Sequence, residues 1–166
     1  YLRKACRATR PPPVYFANLA EMCRQRGLLA EAEQAGRRAV ALDPTLTAGW
    51  NNLGIVLQEQ GKLDESLACL ERVAQMRPDD ALARNNIGNT LKRMGRLAEA
   101  KAQYEAALAL NSGYAEAHSN LAHLLNDLGE ADAALASARR AMEATPQLAD
   151  AYINAIGVEN GRRRYP

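Results

Sequence analysis

The chain is short of the side chains that carry most protein chemistry. Its 166 residues hold three cysteines, two histidines, one tryptophan and one phenylalanine. Cys6, Cys23 and Cys69 fall on helical pattern positions, with no CxxC and no histidine at ligand spacing, which argues against disulfides and zinc. Thiols used in that way suit a reducing compartment. His118 and His123 are five residues apart, so on a helix they face different ways and cannot form an i, i+4 metal pair. No glycine-rich phosphate loop, GxSxG or paired catalytic carboxylate occurs. The segment is therefore expected to be non-catalytic and to need no cofactor. No run of about 18 apolar residues is present, so no membrane-spanning helix is expected. A net charge of +2 is too balanced to argue for nucleic acid or an anionic membrane as partner.

What the chain has instead is a period. Thr47 to Asp80 recurs in variant form 34 residues earlier and later, with starts at Pro13, Thr47, Ala81, Ala115 and Ala149 and no insertion. A constant period of that length marks a stacked solenoid, in which apolar surface is buried between neighbouring units. Within the central unit Trp50, Leu53, Gly54 and Leu57 recur at i, i+3, i+4 and i+7, one face of a first helix. Gly61 stops it, and Leu63, Ser66, Leu67, Leu70 and Val73 form the inner side of a second helix that Pro78 ends. Each unit is read as a helical hairpin.

The columns repeat from unit to unit. The turn glycine is Gly27, Gly61, Gly95 and Gly129. Small residues follow at the twentieth place (Ala32, Ser66, Ala100, Ala134) and near the twenty-seventh (Ala39, Val73, Ala107, Ala141), with Leu19, Leu53, Ile87 and Leu121 filling the space between helices. These columns resemble the tetratricopeptide repeat. The resemblance implies an all-α fold, a right-handed superhelical α-solenoid of antiparallel helix pairs whose first helices line a concave groove. Departures are local: Arg84 and His118 replace the aromatic residue at the fourth place, Ser112 replaces the closing proline, and Gly36 and Ala138 leave the twenty-fourth place small.

The expected organisation is the second helix of a preceding repeat over 1–12, repeats over 13–46, 47–80, 81–114 and 115–148, and a truncated fifth over 149–166, all in one solenoid. Half-repeats at both ends suggest a piece of a longer protein and open ends through which copies could self-associate. Arginine and alanine usage hints at a bacterial source, and the expected location is the cytoplasm. Pro11 to Pro13 and the run Arg162 to Arg164 are read as inter-helix turns rather than docking motifs.

The second, sixth, ninth and thirteenth places of each first helix lie opposite the packing face and should be exposed. The sixth place is asparagine every time: Asn18, Asn52, Asn86, Asn120 and Asn154. A primary amide can pair with both the N–H and the C=O of one peptide unit in an extended ligand. The same side chains could instead bond neighbouring helices or water. With Asn89, Arg93 and His123 beside them, the column is the expected peptide-binding surface, with a protein or peptide as partner. Unbroken columns of this kind resemble the superhelix preceding the catalytic domain of O-linked N-acetylglucosamine transferases. That resemblance implies backbone capture of substrates and leaves open a glycosyltransferase as the parent protein.

Overall fold

The computed structural model describes residues 11–145. Every described element is an α-helix: α1 Pro13–Gln25, α2 Leu29–Leu42, α3 Thr47–Glu59, α4 Leu63–Met76, α5 Ala81–Arg93, α6 Leu97–Leu110, α7 Ala115–Asp127 and α8 Ala131–Ala144. Residues 1–10 and 146–166 lie outside the described set. With them lie the expected half-repeat before Pro11, the fifth repeat, Cys6, Asn154 and the Arg162 to Arg164 run.

The hairpin turn is built the same way four times. Gly27, Gly61, Gly95 and Gly129 have φ between 74° and 80°, the left-handed region that a Cβ disfavours. That conformation lets the next residue's N–H reach back to the helix, as in Leu28 N to Cys23 O, Lys62 N to Leu57 O, Arg96 N to Leu91 O and Glu130 N to Leu125 O, each 2.9 Å. The glycine's own N–H bonds three residues back, completing a Schellman closure that satisfies carbonyls the helix end would orphan.

The helices form two compact units, α1 to α4 and α5 to α8. In the first, α1 pairs with α2 and α3 with α4, while α3 packs on both α1 and α2. Phe16, Ala17 and Ala39 form one apolar cluster with Leu19 and Leu46 against it; Leu53, Leu57 and Cys69 form another with Val40 and Trp50. Ser66 sits at zero exposure because its hydroxyl donates to the Gly54 carbonyl at 2.8 Å. In the second unit α5 pairs with α6 and α7 with α8, and α7 packs on α6 and α5. Its core includes Ile87, Leu91, Tyr104, Leu121, Leu125 and Leu135. The small columns are buried throughout, Ala32, Ser66, Ala100 and Ala134 together with Ala39, Val73, Ala107 and Ala141.

In two of the four described repeats the fourth place does the same job through different residues. Trp50 Nε1 donates to the Pro44 carbonyl at 2.9 Å, and the His118 Nε2 contacts the Ser112 carbonyl at 3.0 Å, each six residues back. The carbonyl can only accept, so this contact calls for a proton on His118 Nε2. His118 is buried, and it tethers the turn that precedes its helix as the indole does. Arg84 instead reaches Gln103 at 3.4 Å, and Phe16 lies beneath the Arg38 guanidinium, 4.4 Å from the ring centre.

Candidate docking faces on the first helices

Each unit presents a pair of first helices, α1 with α3 and α5 with α7. Along the outer stripe of the first unit, Val14, Asn18, Gln25, Ala48 and Glu59 are exposed, while Glu21, Asn52 and Ile55 are half-buried. In the second unit Leu82, Arg93, Glu116, His123 and Asp127 are exposed, with Asn89 and Asn120 half-buried. Asn86 departs from the expectation of exposure: only 6% of its surface is accessible. Beside it Asn85 is fully enclosed, so an amide-rich stretch of α5 serves the interior as well as the face.

The asparagine side chains are partly engaged. Asn52 Nδ2 donates to the Ala17 carbonyl of α1 at 2.9 Å. Asn120 Nδ2 donates at 2.9 Å to Asn85 Oδ1, on α5. Both bonds span 35 residues, from the sixth place of one repeat to the fifth of the repeat before. One N–H of each amide thus ties adjacent first helices, which leaves the carbonyl oxygen and the second N–H directed elsewhere. The exposed Asn18 has no earlier first helix among the described residues to tie to.

Around these amides lie groups that the periodicity did not single out. Asn85 passes the chain of bonds on, its Nδ2 donating to Glu116 Oε1 at 3.1 Å. The Tyr114 hydroxyl lies 3.4 Å from the other Glu116 oxygen, and burial with that nearby carboxylate raises the phenol's pKa above its ordinary value. Asn89 accepts a 2.7 Å bond from the hydroxyl of Tyr104, which comes from α6 behind the face. A spacing of one period plus one was the available signal for the Asn85–Asn120 pair. No sequence signal marked Tyr104, because the other repeats hold glycine, leucine and alanine at its place.

The ends of both faces are charge-balanced. Arg24 joins Glu21 at 2.7 Å and Glu59 at 2.6 Å, linking α1 to α3, and the two carboxylates hold its proton more tightly than usual. Lys92 meets Asp127 at 3.2 Å, linking α5 to α7. Among the described residues no group of His, Cys, Asp and Glu is arranged to hold a metal ion, and no helix is long and apolar enough to cross a membrane. Cys69 is buried and reduced, and Cys23 is half-buried and reduced.

A model of the tetratricopeptide repeat matches residues 46–112, and a second model of the same description matches residues 2–46 and 85–149. The chain belongs to the tetratricopeptide repeat family. No curated protein matches it. Among solved structures, a thermophilic tetratricopeptide repeat protein of Thermus thermophilus is 26% identical, with a TM-score of 0.81 over 94% of this chain and 86% of that one. The pilF protein of Pseudomonas aeruginosa gives a TM-score of 0.83 at 17% identity, over 92% of this chain and 70% of that one. The first tetratricopeptide repeat region of Spaghetti, solved with an HSP90 peptide bound, gives 0.67 at 21% identity, over 70% of this chain and 93% of that one. The all-α repeat architecture is thus shared with structures whose sequences have diverged widely.

Proposed function

We propose that the chain is a protein-interaction module and that each pair of first helices holds an extended segment of a partner through the asparagine column. The observation that carries this reading is the half-used amide. Asn52 and Asn120 each spend one N–H on the neighbouring helix, which fixes the side chain, and keep an acceptor and a donor for a ligand peptide unit. A pre-oriented side chain loses less rotamer freedom on binding than a mobile one. Asn18, Asn52 and Asn120 are the principal contacts, with Asn89, Arg93 and His123 beside them, and Asn154 continues the column in sequence. Asn86, with its low exposure, takes a supporting place. The peptide-bound relative supports this kind of ligand, and the small, polar character of the column favours the backbone over any one side chain.

An immobilised array of unrelated extended peptides tests the reading, with the full chain compared against its Asn18→Ala, Asn52→Ala, Asn120→Ala triple variant. Broad capture lost in the variant, with helicity retained, supports it. Capture that is unchanged in the variant refutes it. Because Asn52 and Asn120 also tie helices, a melting curve run in parallel separates lost contact from lost fold.

The asparagine column also favours a second reading, in which the segment delivers protein substrates to a glycosyltransferase domain of a larger protein. Sequencing the gene beyond both ends decides it: a nucleotide-sugar transferase domain supports delivery, and an unrelated domain removes it. Self-association is tested separately by the solution mass at high concentration.

A further inference from the structure

One side of α1 lacks the cover that α3 and α7 have. At the third place Tyr15 is 51% exposed, and at the seventh Leu19 is half-buried. The same places on α3, Gly49 and Leu53, are buried, and so are Ala117 and Leu121 on α7. Those two helices each pack on the second helix of the repeat before, α2 and α6. Among the described residues no such helix precedes α1. A cleft of about 370 Å³ opens between α1 and α2, with half-buried Leu19 and Cys23 on one side and exposed Glu31 and Gln34 on the other. How α2 sits on α3 gives the register of whatever fits this side. A Cβ on Gly36 would stand 3.2 Å from Leu53 Cβ, and a Cβ on Gly49 would stand 3.2 Å from Val40 Cγ1. Arg37 reaches Glu65 at 2.6 Å. One period earlier these three pairs of places hold Leu2 with Leu19, Cys6 with Tyr15, and Arg3 with Glu31.

We propose that residues 1–10 of the same chain dock on this side of α1 and α2 as a helix, with Leu2 on Leu19, Cys6 against Tyr15 and Arg3 paired with Glu31. Three features select this occupant over a second copy or another protein. The first is length. Ala8 stands as far before Pro13 as Leu42, the last residue of α2, stands before Thr47, so the segment is placed as α2 is relative to the first helix that follows. Being joined to the face, it is present at an effective concentration that a separate chain does not match. The second is charge. The segment carries Arg3, Lys4, Arg7 and Arg10 and no acidic residue, and Glu31 is exposed on the wall of the cleft. Arg38, the cation of that wall, is turned onto the Phe16 ring, 4.4 Å from its centre. The third is volume. Val40 on Gly49 becomes Cys6 on Tyr15, the larger residue changing sides, and the place of Leu2 accepts a large side chain on α6, where Tyr104 is fully buried. Docking in this register removes the exposed apolar surface of Tyr15 and Leu19 from water.

Hydrogen exchange followed by mass spectrometry on the full chain tests this, with the free peptide of residues 1–10 as reference. A helix this short is marginal on its own in water, so slowed exchange at the amides of residues 5–10 reports docking. Slower exchange than in the free peptide is expected in the full chain, and it should not change on dilution. Leu2→Asp should abolish that protection while α1 and α2 keep theirs. Glu31→Arg should reduce it, and Arg3→Glu added to Glu31→Arg should restore it. Exchange at the free-peptide rate overturns the proposal. So does protection that Leu2→Asp leaves intact, or that the reversed pair fails to restore. Protection that fades on dilution assigns the face to a second copy and equally overturns it. None of these readouts depends on peptide capture by the asparagine column.

Discussion

Adding one methyl group at Gly88 tests how the second unit is packed. An ideal Cβ there would stand 2.6 Å from Tyr104 Cε1 and 2.7 Å from Cδ1, closer than carbon atoms approach. Tyr104 cannot withdraw, since it is fully buried and its hydroxyl is held on Asn89. Two effects oppose each other. Alanine favours the helix over glycine by about 1 kcal/mol, while over-packing a filled core costs about 1–3 kcal/mol. Gly88→Ala should therefore be neutral to destabilising by about 2 kcal/mol. Tyr104→Ala removes the obstacle and on its own should cost about 3–5 kcal/mol, as other aromatic truncations do. In that background Gly88→Ala should become stabilising by about 1 kcal/mol. The fourth repeat already carries this combination, with Ala122 and Ala138 at the two places, both buried. A double-mutant cycle by urea denaturation, followed by circular dichroism, reads the difference directly. If Gly88→Ala shifts the midpoint by the same amount and sign with Tyr104 present or absent, the packing argument is wrong.

Two further outcomes follow from the charges and thiols of the first unit. Lys62, then Arg37 and Gln60, hold the Glu33 carboxyl down from 4.5 to about 2, against the opposing effect of burial. Because the folded value is the lower one, this stabilisation is complete above the unfolded value and drains away as pH falls from 4.5 through 2. It is worth about 1 kcal/mol at this partly solvated site. The melting temperature of the native chain should therefore fall more steeply over that window than that of Glu33→Gln, and parallel curves would refute the linkage. Cys69 is pushed up to about 11 by burial, so at about pH 8 its thiol should react with iodoacetamide far more slowly in the folded chain than in urea. Mass-spectrometric mapping that finds Cys69 labelled equally in both states would place it on the surface.

The architecture was legible because its determinants are local and repeated. A glycine with positive φ stops each first helix, a small buried residue follows in the first turn of each second one, and both recur at a fixed period in the sequence. The candidate site was less legible. Position on a helix predicted exposure for the sixth place, and Asn18, Asn52 and Asn120 have it in full or in part. Asn86 does not, for exposure depends on what packs around a helix as well as on which way a residue faces. That Asn52 bonds a neighbouring helix was one of the two expectations for its column, but its partner, the Ala17 carbonyl, could not be read because backbone leaves no mark in residue type. Tyr104 bonding Asn89 was hidden for a different reason. A side chain that crosses from the second helix to the first-helix face looks, in sequence, like one more buried aromatic.

The residues that look like departures from the repeat become regular when places are read in pairs. The eighth and twenty-fourth places hold Ala20 with Gly36, Gly54 with Leu70, Gly88 with Tyr104, and Ala122 with Ala138. A large residue at one place comes with glycine at the other, and a Cβ on Gly54 would meet Leu70 Cγ at 2.8 Å, much as one on Gly88 would meet Tyr104. A close-packed interior with a large residue at one of these places leaves no room for a Cβ at the other. Charge behaves likewise: Glu33 with Lys62 becomes Lys101 with Glu130, so each residue changes sign while the attraction between second helices is kept. By the same test Glu105 opposite Ala133 is a pair whose interaction was given up rather than exchanged. Glu105 acts instead on Lys101, one turn earlier on α6, so its charge is answered within its own helix.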